Sequence, residues 1–194
     1  MLGLGAGLLA SLWIATSPAA IGQGPAPSAD NLGFHLVDAA GNSYSLGSFP
    51  PDAVVVIYFG YTTCLRACPT TLNDIAEALD GLGSGGALVT PIFIDMDPDR
   101  AALVSLPLYM QSFGPRFLGL TGTPDAVAMA AKTFDVQLER LQFSADPSDY
   151  AMLHASPIFV MRAGDRHPVS LPATSSPAVI AAAIRNALAR RPLS

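Results

Sequence analysis

Two nearly unbroken apolar runs organise this chain. Residues 53–59 read AVVVIYF and residues 88–94 read LVTPIFI. Runs of this length, rich in Val and Ile, suit strands buried on both faces. Pro91 is the weak point of the second. Between them, Pro69 fits the first turn of a helix, where its missing N–H costs nothing. Leu72, Ile75, Ala76 and Leu79 continue that helix along one face, and the glycines of 81–86 end it. Ahead of the first run, Phe34, Leu36 and Val37 face Tyr44 and Leu46 across Gly41-Asn42, which predicts a hairpin.

The second half continues the alternation. Residues 95–99 form a polar loop, and 100–113 a helix interrupted at Pro107. Residues 117–120 make a short strand. Thr123 caps a helix with Pro124 at its first position, running to about residue 134. Residues 136–143 read as a strand, 144–151 as a polar loop and 158–161 as a buried strand. Residues 177–190 form a terminal helix with Val179, Ile180, Ala183, Ile184, Ala187 and Leu188 as its stripe. Strands alternating with helices predict an α/β domain around a central sheet.

Composition changes this picture mainly at the N-terminus. Residues 2–15 form an apolar run, residues 16–20 are mostly small, and 22–28 read as a flexible linker. The pattern predicts a signal peptide or membrane anchor over 1–23, a linker over 24–31 and one domain over 32–194. The first basic residue is Arg66. Export to a bacterial periplasm follows, with a possible inner-membrane tether. The net charge is −5. No basic stripe is present, so nucleic acid is excluded as a partner class.

The chain has two cysteines, Cys64 and Cys68, four residues apart. If the second opens a helix, that spacing is about one turn. Both sulfurs are then close enough to share one metal ion or to form one disulfide. A helix N-terminus offers unpaired N–H groups and a positive dipole end, which favour thiolate over thiol. Arg66, between the cysteines, acts in the same direction. A thiolate pair suits soft Cu(I) and also exchanges with disulfides. The loop follows a buried strand, and α/β sheets gather ligand sites at the carboxyl ends of their strands. A bare C-x-x-x-C also fits a structural disulfide.

Residues 59–72, F-G-Y-T-T-C-L-R-A-C-P-T-T-L, resemble the signature loop of the Sco (SenC) copper chaperones. Three further segments match that family in the same order: 93–100 (F-I-D-M-D-P-D-R), 117–124 (F-L-G-L-T-G-T-P) and 149–156 (D-Y-A-M-L-H-A-S). The resemblance implies a thioredoxin-like fold with a central mixed sheet flanked by helices. It implies a copper site, for Cu(I) or Cu(II), made of Cys64, Cys68 and His154. It also implies work on the binuclear copper centre of cytochrome c oxidase. The expected partners are the copper-site subunit of an oxidase and other copper chaperones. The family usually carries Pro and then an acidic residue after its first cysteine. Here Leu65 and Arg66 stand instead, and Ala101 follows Arg100 where the family usually has Asp.

The remaining candidates read blandly. His35 and His167 fit surface positions. Asp95, Asp97 and Asp99 lack the spacing of a calcium loop and read as loop caps and solvated charge, although the loop of Asp97 should face the cysteines. Met96 reads as core rather than ligand. Ser156-Pro157 is where a cis bond is expected. Against the chaperone stands a thiol–disulfide oxidoreductase that reduces the oxidase cysteines and does not need His154. A peroxidase of the same fold and a structural domain with an incidental disulfide are weaker alternatives.

Overall fold

A computed structural model of the chain describes residues 33–100, 105–146 and 149–190, apart from the side chains of residues 153–155. They belong to the compact unit Asn31–Ser194. The expected leader and linker lie outside the described residues. Among those residues, no helix is long and apolar enough to cross a membrane.

The two apolar runs form the centre of the sheet. Strand β3 (Val54–Gly60) pairs in parallel with β4 (Val89–Asp95), from Val54↔Val89 to Gly60↔Asp95. Strand β5 (Leu118–Leu120) extends β4 in parallel, and β8 (Ile158–Arg162) lies antiparallel on the other side of β3. Strand β9 (Val169–Leu171), not expected from the sequence, closes that edge, giving the order β5-β4-β3-β8-β9. Pro91 is tolerated because the β5 pairing begins only at Ile92, beyond it.

Alternate residues of β3 supply two cores. Val54, Val56 and Tyr58 pack with helix α1 (Ala67–Asp80) and helix α4 (Pro177–Ala189). Val55, Ile57 and Phe59 pack with helix α3 (Pro124–Thr133) and with Phe34 and Leu36. The N-terminal hairpin forms as expected, from β1 (Leu36–Val37) and β2 (Ser43–Tyr44). Gly41 takes its turn at φ +83°. Thr123 caps α3 by accepting the Ala126 N–H at 3.2 Å. A central mixed sheet with helices on both faces and an N-terminal hairpin is the thioredoxin-like arrangement expected.

Four expectations need correction. Helix α2 (Ser105–Gln111) runs through Pro107 without interruption. Residues 150–151 are not loop but the start of β7 (Tyr150–Ala155), which pairs antiparallel with β6 (Gln137–Gln142). No cis peptide bond occurs among the described residues, so Ser156–Pro157 is trans. Asp95 and Asp97 are buried, not solvated.

Candidate metal centre

The cysteine loop leaves the carboxyl end of β3 and enters α1. Arg66 occupies the N-cap of that helix without a capping side chain. Cys64 takes over the role: its Sγ accepts the backbone N–H of Cys68 at 3.3 Å. The loop is folded back by the Cys64 N–H, which donates to the Tyr61 carbonyl at 3.0 Å. The two thiols, both free, thus meet at a helix N-terminus as the spacing predicted.

Their surroundings differ. Cys68 is fully buried among Tyr58, Leu72 and Phe93, and the Tyr58 hydroxyl donates to its sulfur at 3.8 Å. Burial pushes the Cys68 thiol up to about 12. Cys64 is 9 % exposed at the rim. Burial would raise its thiol too, but the N–H groups of Cys68 and Arg66 and the Tyr61 hydroxyl outweigh it and hold the thiol below its ordinary range. Gly60 makes the approach possible. A methyl group there would lie 2.7 Å from the Phe93 ring and 3.0 Å from Cys68 Sγ.

The strand register sets Asp95 beside Gly60, and its carboxylate braces the loop. Asp95 Oδ2 accepts the Thr62 N–H at 3.2 Å, and Oδ1 accepts the Asp97 N–H at 2.8 Å. Burial raises this carboxyl to about 6, with those two N–H groups opposing. Asp97 is buried in turn by Arg100, whose Nε donates to Oδ2 at 2.5 Å, and by Tyr150, whose hydroxyl donates to Oδ1 at 2.5 Å. The sequence reading missed Asp95 and Tyr150 as site residues. The signal for Asp95 was present: it continues an apolar run and falls opposite the start of the cysteine loop.

His154 lies on β7 opposite Leu138 of β6, while its side chain falls outside the described residues. Among those residues, no trio of His, Cys, Asp or Glu side chains gathers as a metal cluster. Met96 belongs to the core on the opposite sheet face from the cysteines. His35 and His167 are exposed, as expected. The donor set that is on view, two thiols within reach of one ion, fits a soft monovalent metal.

Comparison with known proteins gives the same outline. The SCO1/SenC family model matches residues 24–189. An SCO2-like protein of Rickettsia felis is 30% identical over 144 residues, covering 74% of this chain and 70% of its own length. The structure of Bradyrhizobium japonicum ScoI with copper bound is 30% identical, with a TM-score of 0.69 over 80% of this chain and 98% of the other. Yeast Sco1 with copper bound is 28% identical, with a TM-score of 0.73 over 86% of this chain and 92% of the other.

Proposed function

The chain belongs to the SCO1/SenC family, and from that premise we propose that it is a copper metallochaperone for the binuclear copper centre of a respiratory oxidase. Copper is its cargo, held by Cys64, Cys68 and His154. The observation that carries the reading is the contact of the Cys68 N–H with Cys64 Sγ, which brings two free thiols to one helix end. Two thiolates supply the soft donors that Cu(I) prefers, and an imidazole completes a three-coordinate site that also accepts Cu(II). ScoI and yeast Sco1 with copper bound support the assignment of the metal. The partner in this reading is the copper-site subunit of the oxidase. The apolar run at 2–15 supports export, with the domain working in a bacterial periplasm.

The inequality of the two thiols favours a second reading, reduction of that subunit's cysteines. Cys64, held toward thiolate, would attack a partner disulfide and release one partner thiolate, leaving a mixed disulfide. Cys68 would then attack Cys64 and release the second partner thiol. The partner gains two electrons and two protons, and Cys64–Cys68 becomes the disulfide. The two roles exclude each other at any instant, because copper needs both sulfurs as thiolates.

Titration of the reduced protein with Cu(I) against a competing chelator tests the first reading. The expected result is tight 1:1 binding, abolished in Cys64→Ser and weakened in His154→Ala. Weak binding that is indifferent to His154 would leave the oxidoreductase as the better account.

A further inference from the structure

Hairpin β6–β7 is a two-stranded sheet of its own, unpaired with the five-stranded sheet. Five of the six residues of β6 are exposed. A lone two-stranded hairpin is marginal in water, so contacts outside its ladder must hold it. Leu138 and Met152 anchor it to apolar surroundings. Helix α3 borders β6, and further anchorage comes from the loop 97–100 at the carboxyl end of β4.

That loop grips both strands. On β7, the Tyr150 hydroxyl donates to Asp97 at 2.5 Å, and Arg100 Nη1 donates to the Tyr150 carbonyl at 3.0 Å. On β6, Arg140 pairs with Asp99 at 2.6 Å. The guanidinium carbons of Arg100 and Arg140 stand 3.8 and 3.9 Å from the Tyr150 ring centre. Both cations lie against the Tyr150 ring. Asp97 also donates its own N–H to Asp95, which accepts the N–H of Thr62 in the cysteine loop. A continuous line of contacts therefore runs from the cysteine loop through Asp95, Asp97 and Tyr150 into the strand that carries His154.

We propose that Tyr150 and Asp97 are positioning residues, fixing the His154 strand against the cysteine loop so that the two loop cysteines and a ligand on a separate hairpin form one site. The proposal rests on the copper reading with His154 as ligand. The physical need is plain: a ligand on a fraying hairpin gives up part of its binding energy to ordering that hairpin. Groups that orient metal ligands are typically worth about ten- to a hundredfold in affinity.

The test uses the full chain in two measurements. Amide hydrogen exchange of the metal-free protein should show residues 137–155 exchanging about tenfold faster in Tyr150→Phe, which keeps the ring and removes the hydroxyl. Cu(I) competition should show about tenfold weaker binding in Tyr150→Phe, and no further loss when it is added to His154→Ala. Asp97→Asn, which keeps the Tyr150 side chain whole and removes the charge its hydroxyl meets, should repeat the pattern and serves if the first variant folds poorly. Unchanged exchange in the hairpin, or losses that multiply in the double variant, would overturn the proposal. Weakened binding in His154→Ala with none in Tyr150→Phe would overturn positioning alone. Full affinity in His154→Ala would sink the ligand reading and this proposal with it.

Discussion

The backbone N–H of Cys68 points at the sulfur of Cys64, 3.3 Å away, so the first cysteine caps the helix that begins around the second. A thiolate accepts such a bond better than a thiol, which favours ionisation of Cys64. At Cys68, burial outweighs the bonds from the Tyr61 backbone and the Tyr58 hydroxyl and pushes the thiol up to about 12. Alkylation of the reduced protein with iodoacetamide, followed by peptide mapping across the pH range, should therefore modify Cys64 first. Its rate should rise at a pH below that of an ordinary thiol, about 8.5. Cys68 should stay unmodified until the solution is strongly alkaline. If Cys68 reacts first, or both follow one curve, the capping contact does not govern the chemistry.

Gly60 faces a different constraint. The methyl of Gly60→Ala would meet Phe93 and Cys68, both fully buried. Neither can swing into solvent, so the strand end or the cysteine loop must shift. Overpacking of this kind costs about 1–3 kcal/mol. Urea denaturation should show that loss, together with weaker Cu(I) binding. A variant as stable as the parent would mean the loop has slack that the contacts do not reveal.

Asp95 carries a pH signature. Its carboxyl rises to about 6 on folding because burial penalises the charge. Between its unfolded value near 4 and that raised value, the folded protein holds the proton more tightly. Its contribution to stability is therefore highest in acid, falls as pH climbs from about 4 to about 6, and is level above that. A shift of this size corresponds to about 3 kcal/mol. Asp95→Asn removes the titration, and its single side-chain oxygen leaves the N–H of Thr62 or of Asp97 unpaired. The variant should be weaker in acid and recover relative to wild type over that window. A difference in urea midpoint that stays flat with pH would rule this out.

Much of this was legible in the chain because local pattern and global role agreed. The run 53–59 suits a strand buried on both faces, and both of its faces pack against helices. Thr123-Pro124 announced a capped helix, and the spacing of Cys64 and Cys68 announced two thiols meeting at a helix N-terminus. What stayed hidden depended on distant partners. Residues 150–155 lack a clear alternation and become a strand only by pairing with β6. Asp95 and Asp97 read as solvated charge, because nothing in their own stretch shows that Thr62 and Tyr150 converge on them. A buried carboxylate is paid for by partners about thirty to fifty residues away, beyond the reach of any local window.

Leu65 and Arg66, the departures from the family loop, invite a last prediction. Leu65 is 90 % exposed, and Arg66 is exposed as well. Arg66 contributes to the fold through its carbonyl, which accepts from the Thr70 N–H and hydroxyl, and any residue supplies a carbonyl. Leu65→Ser and Arg66→Glu should therefore change stability by no more than about 0.5 kcal/mol. Solvent screens an exposed charge, so Cu(I) affinity should also change little. The effect should appear at the encounter with the acceptor, where exposed charge sets association rate and its salt dependence. Stopped-flow transfer of copper to the isolated copper-site domain of an oxidase would show it: Arg66→Glu should alter the rate at low salt, and the difference should fade as salt is added. If the two proteins transfer copper at the same rate at every ionic strength, the charge at the loop tip takes no part in recognition. If Arg66→Glu instead loses affinity for the metal itself, Arg66 belongs to the binding site rather than to the docking surface.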